Sequence, residues 1–353
     1  MKKILSTLMI LMLMLTITAC GSGGNGEPET YEVAMIADSA DIESGSFTGA
    51  VWDSVEAFTT ENSITAKHYA PESSEKEAYM KSVETAVNSG AKLVIMAGSN
   101  FETTVFSAQS LYPEVFFLLI DGVPHDVGDT YGTSANTISV IFAEEEAGYM
   151  AGYAAVKDGY KKLGFLGGED VPAVKRYGHG FVQGAAAAAA ELEQKVELRY
   201  EYTGTFEPSE DVEKKAAEWY DEGTKVIFAC GGGMGASVMD AAERCSGKVI
   251  GVDVDQSALS SSVITSAQKD IDTVVTDMLK NYVSERFVGG TAFNYTAANG
   301  GVSLQIDNAK LKKFTADDYD KLLKQLVNDE IKLKKDTGVD SVKEITGEWV
   351  TIK

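Results

Sequence analysis

The sequence predicts an α/β protein with parallel β-sheets, and two observations support this fold class. Short apolar runs of strand length alternate with longer amphipathic segments along most of the 353 residues. The runs are apolar throughout rather than at every second position, as expected when helices cover both faces of a parallel sheet. The chain is also longer than one hydrophobic core usually serves, so two domains are expected.

The predicted elements follow one another in a βα rhythm that appears twice, with a first half ending near Ser139 and a second beginning near Phe142. The predicted strands lie at 31–36, 92–96, 115–120, 162–166, 196–202, 225–230 and 249–252. The predicted helices lie at 47–61, 75–89, 101–112, 144–158, 180–192, 212–222 and 236–244, with a last amphipathic helix in 314–335.

Short polar or glycine-rich loops follow six of the predicted strands. They contain residues 38, 98–100, 121–122, 167–170, 231–233 and 253. In parallel α/β sheets, ligands bind at the carboxyl ends of the strands. We therefore expect these six loops to converge on one cleft.

Three of these loops place an acid directly after an apolar strand: Asp38, Asp121 and Asp253. A buried acid is costly unless it meets hydrogen-bond donors, and sugar hydroxyls or base N–H groups would be suitable donors. Lys269 could pair with one of the acids or bind a hydroxyl. For each acid taken singly, a helix cap or a turn is an equally good explanation.

The N-terminus resembles a bacterial lipoprotein signal. Two lysines precede the apolar run 4–15, which is too short to span a bilayer comfortably, and small residues then lead to Cys20. We predict a signal peptide at 1–19 and a lipid on Cys20, followed by a flexible tether at 20–30. An ordinary signal peptide that contains a cysteine and an N-terminal membrane helix are the alternatives.

The rest of the chain and its charge limit the possible partners. No later apolar run is long enough for a transmembrane helix, so the body is predicted to be soluble and held outside the membrane by its lipid. The formal net charge is −22, which would repel a polyanion such as nucleic acid. A neutral small ligand is not disfavoured.

Cysteine, histidine and serine patterns indicate neither a metal site nor catalysis. Cys230 lies in an apolar run and Cys245 near a helix end, so two buried free thiols are expected. The three histidines, His68, His125 and His179, are too scattered to suggest metal ligands. No G-x-S-x-G motif occurs, and we predict no catalytic residue, metal or cofactor.

A glycine-rich loop offers a competing interpretation. The segment 231–236 follows a strand, opens a helix and fits G-x-G-x-x-A, with Asp253 about twenty residues further on, as in dinucleotide-binding sites. The motif lies late in the chain, however, and the export signal would remove the protein from cytosolic cofactor. A dinucleotide site is therefore the weaker hypothesis.

Several short segments together point to a known family. They are Asp38 with Ser46, Phe47 and Trp52, the motif YPEVFFLLIDG at 112–122, and 145–152, 178–184, 204–206, 230–235, 250–256 and 265–269. In this order and spacing the chain resembles the basic membrane protein family, also called purine nucleoside receptor A-like. These lipoproteins are substrate-binding proteins of ABC transporters. The resemblance covers 31 to about 301.

The resemblance implies a type I periplasmic-binding-protein fold, in which two Rossmann-like lobes with parallel sheets are joined by a hinge. Lobe 1 is expected at 31–140 plus about 255–295, and lobe 2 at 141–254 plus about 296–353. The family further implies a monomeric, lipid-anchored receptor on the extracytoplasmic face of the cell membrane. Its partners would be a nucleoside, a purine one by preference, and an ABC transporter permease.

The resemblance also implies roles for individual residues. Phe47 matches a stacking aromatic of the first lobe, and Phe206 matches a second aromatic from the other lobe. Asp38 and Asp121 match acids that face the base. Gly232 matches a glycine that lets the backbone approach the ligand, and its loop would then line a nucleoside cleft instead of a pyrophosphate.

Two further positions complete the predicted site. Asp253 and Lys269 match a ribose-binding pair. Thr48 departs from the family, which commonly has an amide side chain there, so ligand preference is expected to be sensitive at this position. A receptor for a sugar or an autoinducer-like ligand, and an exported nucleoside-processing enzyme, are the alternative functions.

Overall fold

The computed structural model describes residues 30–38, 42, 45–339 and 341–353. The predicted signal peptide 1–19, the predicted lipidation site Cys20 and all of the tether except Thr30 lie outside the described residues. Of the helices within the described ranges, none is both long and apolar enough to cross a bilayer.

The strands and helices have the following bounds. The strands are β1 Val33–Ile36, β2 Ala66–Tyr69, β3 Leu93–Ala97, β4 Phe116–Ile120, β5 Thr137–Phe142, β6 Lys162–Gly167, β7 Val196–Tyr202, β8 Val226–Cys230, β9 Lys248–Asp253, β10 Val263–Lys269, β11 Thr291–Tyr295, β12 Val302–Leu304 and β13 Val350–Ile352. The helices are α1 Phe47–Glu61, α2 Lys76–Asn88, α3 Glu102–Leu111, α4 Glu144–Lys157, α5 Pro172–Glu191, α6 Glu210–Asp221, α7 Met234–Cys245, α8 Ile271–Val283 and α9 Ala316–Val327.

The described strands form two sheets. One has the order β11-β5-β4-β3-β1-β2, and the other has the order β12-β10-β9-β8-β6-β7-β13. Neighbouring strands are parallel except for β10 and β12. We call the first sheet with α1, α2, α3 and α8 the first lobe, and the second sheet with α4 to α7 and α9 the second lobe. The predicted α/β class with parallel sheets is confirmed.

Both faces of each sheet are covered, which explains why the central strands are apolar throughout. In β1, Val33 and Met35 pack into one core, whereas Ala34 and Ile36 face a second core beneath α2 and α3. In β8 the side chains alternate in the same way. Some face the core that also contains Val33 and Met35, and the others face a core beneath α6 and α7. Burial on both faces is what the uninterrupted apolar runs predict.

The chain crosses between the lobes three times, and the crossings are bonded to one another. They lie between β5 and α4, between β10 and α8, and between β11 and β12. Ala143 N donates to Tyr295 O at 2.8 Å, and Asp270 N donates to Gly301 O at 2.9 Å. We call these three crossings the hinge.

Glycines allow α4 and α5 to pack unusually closely beside the hinge. A Cβ atom on Gly180 would lie 2.1 Å from Glu145 O, and one on Gly148 would lie 2.1 Å from Tyr177 O. The same contact recurs one turn further along each helix, at Gly152 and Gly184. Real Cβ atoms cannot approach a carbonyl oxygen to that distance. Only glycine at these positions therefore allows the backbones of the two helices to pack against each other.

The structure contains elements that the apolar pattern did not predict, above all β5, β10 and α8. In β10 the buried polar residues Thr265 and Ser266 interrupt the pattern; Thr265 Oγ1 donates to Gln305 O at 2.6 Å. Helix α5 begins at Pro172 rather than at 180. The predicted lobe 1 range of about 255–295 includes β10, which pairs in the second sheet.

Candidate functional site

A cleft of about 800 Å³ lies at the carboxyl ends of the strands of both sheets, within the size range of small-molecule sites. All six of the loops singled out in the sequence contribute to its lining, so the predicted convergence is confirmed. The eight predicted ligand-binding residues all line this cleft: Asp38, Phe47, Thr48, Asp121, Phe206, Gly232, Asp253 and Lys269. Their roles toward a ligand remain predictions.

The first lobe builds one corner of the cleft at the start of α1. Ser46 caps this helix, because its side chain accepts from Gly49 N at 3.0 Å, and the cap places Phe47 in the first turn. Thr48 Oγ1 donates to Asp38 Oδ1 at 3.2 Å. The Thr48 hydroxyl therefore donates its one hydrogen to Asp38, the acid that follows β1.

The second lobe places Phe206 against the cleft through close backbone contacts. Phe206 O accepts from Met234 N at 2.7 Å, which ties its loop to the start of α7. A Cβ atom on Gly168 would lie only 2.5 Å from Cδ1 of the Phe206 ring. Gly232, at φ +58°, adopts the left-handed conformation that favours glycine. Gly168 and Gly232 thus leave space for the Phe206 ring.

A buried lysine forms the floor of the cleft. Lys269 Nζ lies 2.8 Å from Asp121 Oδ2, 3.2 Å from Glu144 Oε1 and 3.3 Å from Asp253 Oδ1. The ammonium also lies 4.9 Å from the centre of the Phe47 ring, with further rings at similar distances: Phe142 and Tyr177. Three acids and three rings therefore surround one cation.

Asp121 and Asp253 are presented to this lysine by the same unusual backbone. They lie at φ +67° and +65°, in the left-handed region that aspartate tolerates better than most residues. Asp253 Oδ1 also accepts from Tyr177 Oη at 3.1 Å. Each turn directs a carboxylate from a strand end toward the ammonium.

The electrostatic environment shifts the pKa values of these groups in different directions. Burial raises the pKa of Asp253, and Lys269 offsets this only in part. Burial also acts on Asp121, but the ammonium of Lys269 and hydrogen bonding bring the pKa of that carboxyl below its usual value. Burial raises the pKa of the Cys230 thiol, so this cleft-lining cysteine is un-ionised.

Acids dominate the lining of the cleft. They are Asp38, Glu102, Asp121, Glu169, Asp170, Glu207 and Asp253, whereas Lys269 is the one Lys or Arg side chain among the described lining residues. Such a surface offers many hydrogen-bond acceptors and repels anions. Across the described ranges, no group of three or more His, Cys, Asp and Glu side chains is arranged to hold a metal ion. The cleft suits a neutral ligand rich in N–H and O–H donors.

Sequence reasoning missed several residues of the site. Glu144 has a sufficient local explanation as an acid at a helix N-terminus, and Tyr177 precedes the start predicted for its helix. A signal for Tyr177 was present, because it directly precedes the segment 178–184.

The two cysteines of the described residues, Cys230 and Cys245, are free thiols. Cys230 is buried as expected, whereas Cys245 is only half-buried.

Comparison with known proteins assigns the chain to a family. A sequence model of the Bmp family, described as ABC transporter substrate-binding protein PnrA-like, matches residues 31–337. The chain belongs to the Bmp family. Substrate-binding proteins of ABC transporters bind a small ligand outside the cytoplasm and work with a permease, and the family is one of binding proteins rather than enzymes.

Curated relatives of this Bmp-family chain are similar over most of their length. The ABC transporter nucleoside-binding protein BmpA of Lactococcus lactis is 29% identical over 300 residues, covering 79% of this chain and 82% of the relative. Basic membrane protein A1 of Borrelia garinii is 31% identical over 265 residues, covering 73% and 76%.

Solved structures confirm the fold predicted for the Bmp-family chain. A solute-binding protein of an ABC transporter system from Aeropyrum pernix superposes with a TM-score of 0.77 at 20% identity, covering 90% of this chain and 97% of that one. A solute-binding protein from Conexibacter woesei gives a TM-score of 0.66 at 20% identity, covering 87% and 99%. The architecture is the type I periplasmic-binding-protein fold.

Proposed function

We propose that this protein captures a purine nucleoside in the cleft and delivers it to an ABC transporter permease. The observation that carries the proposal is the pairing of two aromatic rings with hydrogen-bond acceptors in one cleft. Phe47 and Phe206 come from opposite lobes, and both line the cleft together with the acids and Lys269. An aromatic pair supplies stacking surfaces for a base, and carboxylates accept from base N–H and ribose O–H groups.

The comparisons support the same ligand class. The Lactococcus lactis relative is named as a nucleoside-binding protein, and it aligns with most of this chain. The acidic cleft supports a nucleoside over a nucleotide, because a phosphate would meet many carboxylates and one lysine. Asp38 and Asp121 would accept from the base, and Asp253 with Lys269 would bind the ribose.

We also propose that the mature protein is a monomeric lipoprotein attached to the outer face of the cell membrane through Cys20. The sequence around this cysteine supports the attachment, and the chain after it would tether the lobes near the permease. Wild-type protein should incorporate radiolabelled palmitate in growing cells, and replacing Cys20 by serine should abolish the label. Unlabelled wild type, or a label that persists in the variant, would contradict a lipid on Cys20.

Direct binding is the decisive test. Protein that begins after Cys20 is unfolded to strip bound ligand, refolded, and titrated calorimetrically with adenosine, guanosine, inosine and, as a control, ribose. We expect heat and a raised melting temperature with at least one nucleoside and neither with ribose. Binding of ribose or other free sugars alone would favour a sugar receptor, and no response to any nucleoside would reject the proposal.

A variant and a product assay separate the remaining alternatives. Phe206→Ala should weaken nucleoside binding by about 1–3 kcal/mol, the usual contribution of base–aromatic stacking. Tyr131→Ala is the control, since Tyr131 is an exposed aromatic outside the cleft lining. After long incubation the nucleoside should be recovered unchanged by chromatography, whereas release of free base would indicate an enzyme.

A further inference from the structure

The further inference concerns Glu144, a fully buried acid beside the hinge that does not line the cleft. It is the first residue of α4, one residue beyond the crossing from β5. Lys269 is the last residue of β10, directly before the second crossing. Glu144 thus contacts the floor lysine without itself lining the cleft.

Charged groups from three other elements face Glu144. Its Oε1 lies 3.2 Å from Lys269 Nζ of β10, and its Oε2 accepts from Arg176 Nε of α5 at 2.6 Å. Asp121, at the end of β4 in the first lobe, contacts the same ammonium through Oδ2 at 2.8 Å and, together with burial, is the neighbouring negative charge that raises the pKa of Glu144. Arg176 in turn lies 3.4 Å from Asp336. Asp253 also contacts Lys269. The cluster around Glu144 therefore contains four acids and two cations: Asp121, Glu144, Asp253 and Asp336 with Lys269 and Arg176.

Two carboxylate oxygens in this cluster lack a hydrogen bond. Asp121 Oδ1 and Glu144 Oε1 are both buried and accept no well-directed hydrogen bond, although Glu144 Oε1 lies 3.2 Å from the ammonium that also contacts Asp121 Oδ2. Neighbouring carboxylates cannot both be ionised cheaply in a desolvated site. One proton between the two oxygens would provide the missing bond for both and remove one negative charge.

We propose that Glu144 is protonated at neutral pH, donates a hydrogen bond to Asp121 across the hinge, and thereby positions Lys269 in the cleft. Glu144 is a positioning residue, because it acts through Lys269 and Asp121. The neutral acid leaves the ammonium shared between the two strand-end aspartates. Ionised Glu144 would draw the ammonium back toward α4 and would place a second charge beside Asp121.

The electrostatics of the cluster agree with this assignment. Burial, with the neighbouring charge of Asp121, raises the pKa of Glu144 to about 8, although Lys269 and Arg176 oppose the shift. In the unfolded chain the same group titrates near its ordinary value of 4.5. Between these two pH values the native state holds a proton that the unfolded state has lost, so this group makes folding less favourable as the pH rises.

The first experiment needs no ligand. Melting temperatures of the stripped wild type and Glu144→Gln are compared from about pH 5 to about pH 8.5. Glutamine retains the shape and the hydrogen-bond donor of a protonated glutamate but cannot ionise. The difference in melting temperature, variant minus wild type, should therefore increase as the pH rises. Glu145→Gln is the matched control: the same change at the next residue, where Glu145 pairs with Lys335 at 2.9 Å.

The control should follow the pH trend of the wild type. A constant difference between Glu144→Gln and wild type across the range would overturn the proposal. If Glu144→Gln fails to fold, infrared spectroscopy of the wild type decides the question. A carboxylic-acid C=O band should be present at neutral pH and disappear as the pH passes about 8. Absence of this band at neutral pH would equally reject a protonated Glu144.

The second experiment rests on the proposed function and measures adenosine affinity on both sides of the transition. Wild-type affinity should fall by about fivefold or more between about pH 6.5 and pH 9, the low end of measured coupling between sites. Affinity of Glu144→Gln should stay level over the same range, and Glu145→Gln should behave as wild type. A parallel fall in Glu144→Gln would show that the proton does not position Lys269.

The two experiments test separate claims, so either claim can be rejected without the other. If adenosine and the other nucleosides do not bind at any pH, the proposed function is wrong. The melting and infrared results still decide whether Glu144 holds the proton.

Discussion

The two lobes repeat the same strand-end turn, yet they use it differently. Asp121 follows β4 and Asp253 ends β9, and these strands occupy corresponding places in their sheets. Both residues have left-handed backbone, and both approach Lys269. Their pKa values nevertheless move in opposite directions, down for Asp121 and up for Asp253. The repeated backbone fixes where an acid is presented, and the neighbours decide its charge.

The difference begins at the next strand of each lobe. β10 ends in Lys269 whereas β5 ends in Phe142, and the ammonium lies 5.2 Å from the centre of that ring. One lobe therefore supplies a cation at the position where the other supplies an aromatic face. Asp121 reaches the cation from the opposite lobe, so the bond between them spans the hinge. A single lysine thereby couples two otherwise equivalent sites.

The largest effect should come from removing the cation that both acids share. Lys269→Met leaves Asp121, Asp253 and Glu144 facing one another, and breaking a buried ion pair typically costs about 3–5 kcal/mol of stability. Nucleoside binding should also be lost. Denaturant unfolding measures the stability, and Lys215→Met, which removes a half-exposed partner of Glu201, is the control. The deficit should shrink as the pH falls, because the acids then take up protons. A loss no larger than that of the control would mean that the cluster is not balanced by Lys269.

The comparison between the lobes is tested most directly by Asp121→Asn and Asp253→Asn. Asparagine retains the left-handed turn and removes the charge. Asp121→Asn should cost about 1.5–3 kcal/mol at neutral pH, the usual range for a hydrogen bond to a charged group. Asp253→Asn should cost less, because its pKa is raised and its ionised form is poorly stabilised.

The pH dependence of these two variants should have opposite signs. The lowered pKa of Asp121 stabilises the native state above about 3.8, and this contribution is lost as the pH falls through the native pKa. The deficit of Asp121→Asn should therefore shrink in acid. For Asp253 the native state favours the proton, so the deficit of Asp253→Asn should shrink as the pH rises. Melting curves from about pH 2 to 7 measure both, with exposed Asp277→Asn as control. Equal slopes would show that the two acids are electrostatically equivalent.

The sequence predicted the outline of this site because its signals are local. A strand that ends in an acid or a glycine can be recognised without knowing its neighbours, and Asp38, Asp121 and Asp253 all line the cleft. The fold class followed from apolar runs that are buried on both faces. The family resemblance added Phe206, and it assigned Lys269, first considered as a partner of any one of the acids, to a pair with Asp253.

The remaining features depend on contacts between distant segments. Strand β10 contains buried polar residues whose partners lie elsewhere in the chain. These residues interrupt the apolar run by which a buried strand is recognised in the sequence. The glycines of α5 weaken its helical signal because they serve the contact with α4. Glu144 looks like any acid at a helix N-terminus until Lys269 and Arg176 are placed beside it. Tertiary contact, rather than local preference, defines these elements.

The aromatic residues allow the same comparison of lobes with a smaller effect. Phe47 is held by the capped start of α1, whereas Phe206 depends on the space left by Gly168. Gly168→Ala should displace the Phe206 ring and weaken nucleoside binding by up to about 1–3 kcal/mol, measured by calorimetry. Gly235→Ala is the control, because a Cβ atom there meets nothing within 4 Å. Unchanged affinity in Gly168→Ala would show that binding does not depend on this ring position.

The smallest expected effect concerns the hydroxyl that distinguishes Asp253 from Asp121. Tyr177→Phe removes the bond to Asp253 Oδ1 and should cost about 0.5–1.5 kcal/mol of stability, the net value of a typical hydrogen bond. Because this bond opposes the effect of burial, its loss should raise the pKa of Asp253 further. NMR titration of the carboxyl carbon measures that pKa, and the pKa of Asp121 should move less. An unchanged pKa of Asp253 would mean that Lys269 alone sets its charge, and the contrast between the lobes would then rest on Glu144 and the crossing strands.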